Sequence, residues 1–495
     1  MTFSRYVCIL ALVTGCFLPS GFLALWPIPT THETGMTALK ICPAFSCDVQ
    51  IEDAPADLQA TKLLGYRSEE YALTIPADGS AATLTANSSL GLSEGLTTFN
   101  QLFYYYGDVP YTLLAPIAIT DSPAYPFRGL ALDTPRNYYP VIDILRTWDA
   151  MNWVKVGVFL MYVNIFHWHI TDTESVSLEV AQYPELAING AYSPQEVYTE
   201  SDVQYIEIDA PGHTGIIAAT CPEYIACLDG ELGFALPKVM NFIASLVSDV
   251  AKTLPSNYSS TGGDEVNATC CSNDYPTQQQ LNSTGMTLNG ALDAFTRTTH
   301  GALIAEVKTP VVWEDMVLNW NITLSNEAIV IIWMSSADAI TVAERGFRIF
   351  QAPSDYFYLI SSRSLLRNDC GAGEWLGNDP TGNSWCDPFN TWSTASIAYT
   401  FDPLAILTEA QYKLVLGGEQ ILWSEQSGPQ NIYPIMWPHA ASSAEIFWSG
   451  NQRDICLMLF CRLTCHCPYP SAPACPWFSD KKYRVAVPLA HRAME

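Results

Sequence analysis

Phe127-Arg-Gly-Leu-Ala-Leu-Asp133 is a short apolar stretch that ends in a carboxylate, and it begins a repeated strand and helix pattern. Residues 141–153 (VIDILRTWDAMNW) have the spacing of an amphipathic helix, and residues 164–172 (NIFHWHITD) predict the next strand. The alternation continues to residue 423, and polar residues follow most of the strands. This pattern predicts the α/β class and a (β/α)8 TIM barrel.

The rest of the chain divides around this predicted barrel. Tyr71–Pro76 and Ala82–Ala86 alternate apolar and polar residues around Asp78-Gly79, which predicts a hairpin, and residues 95–105 predict a helix. We therefore expect a signal peptide at residues 1–24, an N-terminal α+β accessory domain at 25–120, the barrel at 121–452 and an atypical Cys- and Pro-rich tail at 453–495.

Composition indicates an exported protein. The chain has 495 residues, 23 basic against 50 acidic side chains and a net charge of −27, which argues against nucleic acid and anionic membranes as partners. A basic residue, a short apolar run and small residues at the N-terminus predict a secretory signal rather than a membrane span. Acceptor sequences for N-glycosylation occur at Asn87, Asn257, Asn267, Asn282 and Asn321. With 15 cysteines, disulfides are expected, and Cys370 with Cys386 is the favoured pair.

The region around residues 154–209 departs from the regular alternation. Apolar residues run almost unbroken from Val154 to Ile170, whereas a barrel strand needs about six. Residues 201–204 (SDVQ) predict the start of a helix, yet Asp209 already ends the next predicted strand, which leaves no room for a crossover of about a dozen residues. The spacing therefore leaves open an incomplete barrel.

The residues after the predicted strands suggest the chemistry. Chemistry in a TIM barrel takes place at the C-terminal ends of the strands. Aromatic platforms with charged hydrogen-bonding groups suit a pyranose ring, and two acids beside them indicate glycoside hydrolysis. Adjacent acids also titrate as a coupled pair, which we expect of Asp264 and Glu265. The candidates are Arg128, Asp133, His167, His169, Asp172, Asp209, His213, Asp264, Glu265, Trp313, Glu314, Asp315, Trp333, Tyr358, Asp369, Trp423 and Glu425.

A metal-dependent hydrolase is the less favoured alternative. His167, His169, Asp209 and His213 have ligand-like spacing. A binuclear site would need further histidines after later strands, and none ends a clear strand there. We therefore predict no metal and no cofactor.

Several motifs together resemble the family 20 glycoside hydrolases, specifically fungal β-N-acetylhexosaminidases. They include HWHITD (167–172), STGGDEVN (260–267), VVWEDM (311–316) and LVLGGEQILWSEQSGP (414–429). The resemblance implies exo-acting, substrate-assisted retaining hydrolysis of terminal N-acetylhexosamine from chitin oligomers or glycans. It implies Glu265 as the acid and base, and Asp264 as the group that orients the acetamide. It further implies substrate-binding or supporting roles for Arg128, Asp172, His213, Trp313, Trp333, Tyr358, Asp369, Trp423 and Glu425.

Departures from the family pattern keep a second function open. Besides the altered region at 154–209, residues 360–368 (ISSRSLLRN) separate Tyr358 from Asp369, which displaces Asp369, and the pattern stops after Asp454. An inactive or misfolding sugar-binding relative is therefore the alternative to the active enzyme. For the active enzyme we expect secretion, possible association with the cell wall and a possible homodimer.

Overall fold

A computed structural model describes residues 25–41, 46–51, 64–106, 109–156, 165–199, 202–203, 205–227, 230–359, 407–425, 427–437 and 439–450. The predicted signal peptide, the tail, Asp369 and the Cys370–Cys386 pair lie outside these residues. No helix within the described ranges is long and apolar enough to span a bilayer.

The N-terminal part of the chain forms a six-stranded sheet with the order β1-β6-β3-β4-β2, in which β5 pairs with β6. Its elements are β1 (Thr31–Lys40), β2 (Cys47–Ile51), β3 (Tyr71–Ile75), β4 (Ala82–Ala86), α1 (Ser89–Gln101), β5 (Tyr104–Tyr106) and β6 (Val109–Asp121). The predicted hairpin is confirmed, because β3 and β4 pair antiparallel. The helix begins earlier than predicted, since the Ser88 side chain caps it by accepting a hydrogen bond from the Gly91 N–H.

Eight strands close into a barrel in which each strand pairs with its neighbours in the chain. They are β7 (Phe127–Asp133), β8 (Phe166–His169), β9 (Tyr205–Glu207), β10 (Tyr258–Ser260), β11 (Thr309–Trp313), β12 (Ile329–Ile332), β13 (Arg348–Gln351) and β14 (Val415–Leu422). All of these pairings are parallel, and β14 pairs with β7 to complete the ring. The predicted TIM barrel with a small N-terminal domain is confirmed.

Helices pack around the strands and bury their apolar faces against them. They are α2 (Val141–Trp153), α3 (Pro184–Gly190), α4 (Pro237–Thr253), α5 (Ala268–Asn273), α6 (Tyr275–Thr284), α7 (Leu288–Ala305), α8 (Asp315–Leu318), α9 (Asp338–Glu344), α10 (Ser354–Phe357), α11 (Glu409–Tyr412), α12 (Ile432–Met436) and α13 (His439–Ser449). Helix α4 follows the expected pattern, with Val239, Ile243, Leu246, Val247 and Val250 buried on one face.

The expected break in the barrel at β9 is wrong. Tyr205 pairs with His167 of β8, and Glu207 pairs with Ser260 of β10, so β9 joins both neighbours. Residues 170–204 connect β8 to β9, which is more than the dozen or so residues that a crossover needs. Within the described part of this connection the chain forms the short helix α3 rather than a long crossover helix. Barrel closure therefore does not depend on a helix beginning at Ser201.

Buried charges join the N-terminal sheet to the lower, N-terminal end of the barrel. Arg128 lies at the start of β7 and forms an ion pair with Glu69 at 2.5 Å. Lys155 Nζ lies 2.9 Å from Asp121 Oδ2 of β6. The indole N–H of Trp448, near the end of α13, donates to the same Asp121 carboxylate at 3.0 Å.

Candidate active site

The loop after β10 carries the Gly-Gly-Asp-Glu motif across the top of the barrel. Gly262 and Gly263 both have positive φ angles, +64° and +99°. A Cβ atom on Gly262 would lie 1.7 Å from Asp209 Oδ1, and the Gly263 N–H donates to that same oxygen at 2.7 Å. The two glycines are needed because the backbone passes directly over the Asp209 side chain.

The two acids that follow point into different surroundings. Asp264 is buried, whereas the Glu265 side chain is 59% exposed. Glu265 has a φ angle of +50°, a left-handed conformation that costs a non-glycine residue roughly 1–2 kcal/mol. Such strain is concentrated at functional sites, where the surrounding structure holds it in place.

Asp264 lies beside a second buried carboxyl, Asp209, in addition to Glu265, the partner predicted from the sequence. One carboxylate oxygen of Asp264, one of Asp209 and a ring nitrogen of His213 all lie within 4.8 Å of one another. Burial and the neighbouring Asp209 raise the pKa of Asp264 well above its usual value. Burial and Glu207 raise the pKa of Asp209 to about 7. Each of these two buried carboxyls therefore disfavours ionisation of the other, and Glu265 lies on the exposed side of the pair.

His213 connects Glu265 to a buried carboxylate. Its Nδ1 lies 3.2 Å from Asp172 Oδ2, and its Nε2 lies 3.5 Å from Glu265 Oε2 and 3.9 Å from Asp264 Oδ2. Burial opposes the imidazolium, but Asp172 and Asp264 raise the pKa of His213 well above its ordinary value. Burial likewise opposes the Asp172 anion, yet Arg136 and His213 hold the pKa of Asp172 well below its ordinary value. A histidine whose charged form is favoured by its neighbours thus lies beside both acids of the motif.

The cation of the site is Arg136, not the predicted Arg128. Arg128 lies at the opposite end of the barrel because it is the second residue of β7, whereas Arg136 follows the C-terminal end of that strand. Arg136 lies 3.0 Å from Asp133, 2.8 Å from Asp172 and 3.6 Å from Glu425. The signal that could have found Arg136 is its position three residues after Asp133.

The aromatic rings predicted to line the site lie together in one cluster and form a wall. Trp313, Trp333 and Tyr358 belong to one buried cluster, and Trp423 packs against it. Ring centroids lie 6.1 Å apart for Trp313 and Trp423 and 6.2 Å apart for Tyr358 and Trp423. The Arg136 guanidinium lies 5.4 Å from the Trp423 ring centroid. The wall is apolar over its faces and positively charged at one edge.

Asp315 and Glu314 support this wall from behind. The Trp333 indole N–H donates to Asp315 Oδ2 at 2.7 Å, which fixes the plane of the ring. Glu314 Oε1 accepts from the Met334 N–H at 2.7 Å, and burial raises the pKa of Glu314 to about 9. Both acids belonged to the set of strand-end candidates, although neither had been given a role.

Two groups of side chains in the described residues have the composition of a metal site. They are His169 with Glu207 and Asp209, and Asp209 with His213 and Asp264. In both groups the histidine nitrogens already face carboxylates, and His169 is hydrogen-bonded through both of its ring nitrogens. This arrangement favours a network of hydrogen bonds and ion pairs over a metal centre.

The barrel and the adjoining sheet match known families over most of the chain. A family described as "Glycosyl hydrolase family 20, catalytic domain" matches residues 125–451, and one described as "beta-acetyl hexosaminidase like" matches residues 45–102. The chain belongs to glycosyl hydrolase family 20. The resemblance inferred from the sequence motifs is confirmed, and the protein is a glycoside hydrolase of the β-N-acetylhexosaminidase type.

Individual relatives agree with this assignment. A beta-hexosaminidase of Arthroderma benhamiae is 31% identical and aligns with 77% of this chain and 67% of its own length. A chitooligosaccharidolytic beta-N-acetylglucosaminidase of Ostrinia furnacalis is 30% identical over 77% of this chain and 67% of its own. The solved structure of an exo beta-N-acetylglucosaminidase from Vibrio harveyi, 20% identical, covers 88% of this chain and 75% of its own with a TM-score of 0.70, which supports the fold.

Proposed function

We propose that this family 20 enzyme removes terminal non-reducing N-acetyl-D-hexosamine residues from chitin oligomers or glycans by substrate-assisted, retaining catalysis. The acetamido carbonyl oxygen of the substrate forms a bond to C1 while the bond from C1 to the leaving oxygen breaks. Glu265 gives its proton to that oxygen. Glu265 then takes a proton from water as the water attacks C1 and opens the oxazolinium ion.

The observation that carries this proposal is the difference between the two acids of the motif. Asp264 is buried, and its Oδ1 accepts no hydrogen bond from the described residues. That oxygen is suited to accept the N–H of a bound acetamide, which would orient the nucleophile and stabilise the cation that forms. Glu265 lies on the exposed side, where a leaving group can depart and water can enter.

The other residues of the site have roles that follow from their placement. Arg136 and Glu425 are suited to bind sugar hydroxyl groups, since both are charged, they lie 3.6 Å apart, and the Arg136 guanidinium lies over the Trp423 ring. Tyr358 is suited to hold the acetamido oxygen. The tryptophan wall suits the methyl group of the acetamide. Asp172 would orient His213, and His213 would hold the Glu265 side chain in position.

The test is turnover of chromogenic N-acetyl-β-glucosaminide and N-acetyl-β-galactosaminide by the purified protein. We expect Glu265→Gln to lower kcat by about 10²- to 10⁴-fold, the usual worth of a positioned proton donor. Glu223→Gln is the matched control, because Glu223 lies exposed in a 3₁₀ turn away from the acid pair. Wild-type turnover that is equally fast on a β-glucoside without the acetamide would contradict the proposal.

The two alternative functions predict different outcomes in this assay. A sugar-binding relative without activity would bind chito-oligosaccharides with no turnover. That alternative rests partly on the altered region at 154–209, where β9 closes the ring, and partly on residues 360–368 and the chain after Asp454, which lie outside the described residues. A metal-dependent hydrolase would lose its activity to a chelator, whereas the proposed mechanism predicts no effect of chelation.

We also propose that the enzyme is exported and glycosylated, and that it forms a homodimer. Asn282 and Asn321 are exposed, and Asn87, Asn257 and Asn267 are half-buried, so none of these acceptor residues is enclosed in the core. A mass decrease after endoglycosidase treatment of protein from a eukaryotic host would support glycosylation. Sedimentation equilibrium measures the oligomeric state.

A further inference from the structure

Asp172 is the end of a longer chain of buried groups that continues into the barrel. The imidazole of His169 lies between two carboxylates, with Nε2 3.2 Å from Asp172 Oδ2 and Nδ1 2.8 Å from Glu207 Oε1. All three side chains are buried. A ring that faces an ionised acceptor at each nitrogen can donate to both only when both nitrogens carry a hydrogen. The geometry therefore favours the imidazolium form of His169.

The alternation of histidine and carboxylate continues deeper in the barrel, at His167. His167 is on the same side of β8 as His169, two residues earlier, and its Nδ1 lies 3.0 Å from Glu419 Oε1. Its Nε2 faces Glu207 Oε2 at 3.5 Å, an ion-pair distance. The Ser260 hydroxyl donates to that Glu207 oxygen at 2.5 Å. Glu207 is thus the shared partner of two histidines and one hydroxyl.

Other charged groups face His169 from the neighbouring strands and loops. Asp209 and Glu207 each place an oxygen within 4.8 Å of a His169 nitrogen. The His213 ring centroid lies 6.1 Å away, and Asp133 adds a further negative charge. Burial disfavours the charged ring, yet the hydrogen bonds to Asp172 and Glu207 raise the pKa of His169 to about 9. Burial also opposes ionisation of Glu207, and His167 lowers its pKa below the ordinary value.

We propose that His169 and Glu207 are positioning residues that hold the Asp172 carboxylate in the orientation in which it bridges Arg136 and His213. Neither residue touches the sugar in this proposal, which rests on the proposed roles of Glu265 and His213. Asp172 Oδ2 lies within 3.2 Å of nitrogens of three cationic groups, Arg136, His169 and His213. If His169 loses its positive charge, its contact with Asp172 changes from an ion pair to a weaker neutral hydrogen bond, and the Asp172 carboxylate is held less firmly toward His213.

The first test is the pH profile of kcat for Glu207→Gln, which keeps the shape of the side chain and removes its charge. We expect activity near wild type at pH 5, where His169 is still protonated. The alkaline limb should move to lower pH by about one unit or more, because His169 now loses its proton within the assay range. KM should change less than about twofold, since no sugar contact is removed. An equal loss at every pH, or an unchanged profile, would overturn the proposal.

Ser260→Ala is the control for charge, because it removes the hydroxyl that donates to the same carboxylate and accepts from the Gly262 N–H, without changing any charge. Its alkaline limb should stay in place. Circular dichroism melting of each variant, over the same pH range, separates a shifted limb from unfolding.

The second test measures the protonation state of His169 directly and does not need turnover. In protein carrying ¹⁵N-labelled histidine rings, the nitrogen shifts of His169 should be those of an imidazolium at pH 7.5, and in Glu207→Gln those of a neutral ring. The signals are assigned by their loss in His169→Asn and His167→Asn. A neutral His169 in the wild type at pH 7.5 would overturn the proposal. A catalytically inactive wild type with the expected shifts would contradict the proposed function instead.

Discussion

The two ends of the barrel both bury charges, but they do so in different ways. At the N-terminal end Arg128 pairs with Glu69 and donates to the backbone oxygens of Lys155 and Tyr125. Asp121 accepts from Lys155 and from several uncharged donors. At the C-terminal end Asp264 Oδ1 is buried with no donor among the described residues, and Glu265 adopts a left-handed backbone and faces outward. The paired Arg128 and Asp121 join the two domains, whereas the proposed function assigns the Asp264 oxygen to a ligand.

Arg128 and Arg136 lie at opposite ends of the barrel, so replacing each of them tests the difference between the two ends most directly. Removing one partner of a buried ion pair leaves a charge without compensation, so Arg128→Ala should lower the free energy of unfolding by about 3–5 kcal/mol. The folded fraction of this variant should keep its kcat/KM. Urea unfolding and kinetics on the same preparation measure both quantities.

Arg136→Ala is the corresponding change at the other end. We expect it to lower kcat/KM by about 10- to 100-fold, mainly through KM, because a charged contact to sugar hydroxyls is lost. Equal kcat/KM values for the two variants, corrected for the folded fraction, would contradict the assignment of Arg136 to the site.

The next effect is expected on replacing Asp264, which is buried beside Asp209. Asp264→Asn keeps the size of the side chain but can no longer balance the charge of the oxazolinium ion, so kcat should fall by about 10²- to 10³-fold. Stability should not decrease, since one of two neighbouring buried acids has been replaced by a neutral amide. A fall in melting temperature with kcat unchanged would place Asp264 in the fold rather than in the reaction.

The smallest expected effect is the change in stability on replacing Glu94, a buried residue of α1 in the N-terminal domain. Burial raises the pKa of Glu94 from 4.5 to about 8, so between these values the folded protein holds a proton that the unfolded chain has released. This contribution to stability is complete below about pH 4.5 and is lost as the pH rises through about 8. Glu94→Gln should therefore reduce the loss of stability between pH 5 and pH 8 by about 1–3 kcal/mol, with kcat unaffected. Melting curves across this range measure it, and an unchanged slope would contradict the buried protonated state.

Local patterns were sufficient to predict much of this molecule. The apolar stretch at 127–133 and the amphipathic spacing at 141–153 predict the first and last residues of β7 and α2 correctly. This is possible because strand and helix periods are properties of neighbouring residues. The placement of Asp264, His213 and Trp423 near one another follows from the rule that parallel strands end at one face of a barrel.

Features set by distant parts of the chain could not be predicted in this way. Arg128 and Arg136 belong to one motif, and only the position where β7 ends decides which of them reaches the site. The pairing of Asp209 with Asp264 depends on how the Gly-Gly turn passes over β9, and so does the separation of Asp264 from Glu265. The disulfide between Cys227 and Cys270 joins cysteines 43 positions apart, a pairing that the sequence analysis does not predict, whereas the predicted Cys370–Cys386 pair lies outside the described residues.

In the proposed reaction the acetamide of the substrate is the nucleophile, and Asp264 orients it. The most direct measurement is kcat for aryl β-glucosaminides whose N-acetyl group carries none, one, two or three fluorine atoms. Fluorine withdraws electrons from the carbonyl oxygen, so kcat of the wild type should fall steeply along this series, with the β anomer as the first product in an NMR time course. A kcat that does not depend on fluorination would contradict the claim, because the attacking group would then belong to the protein or to water.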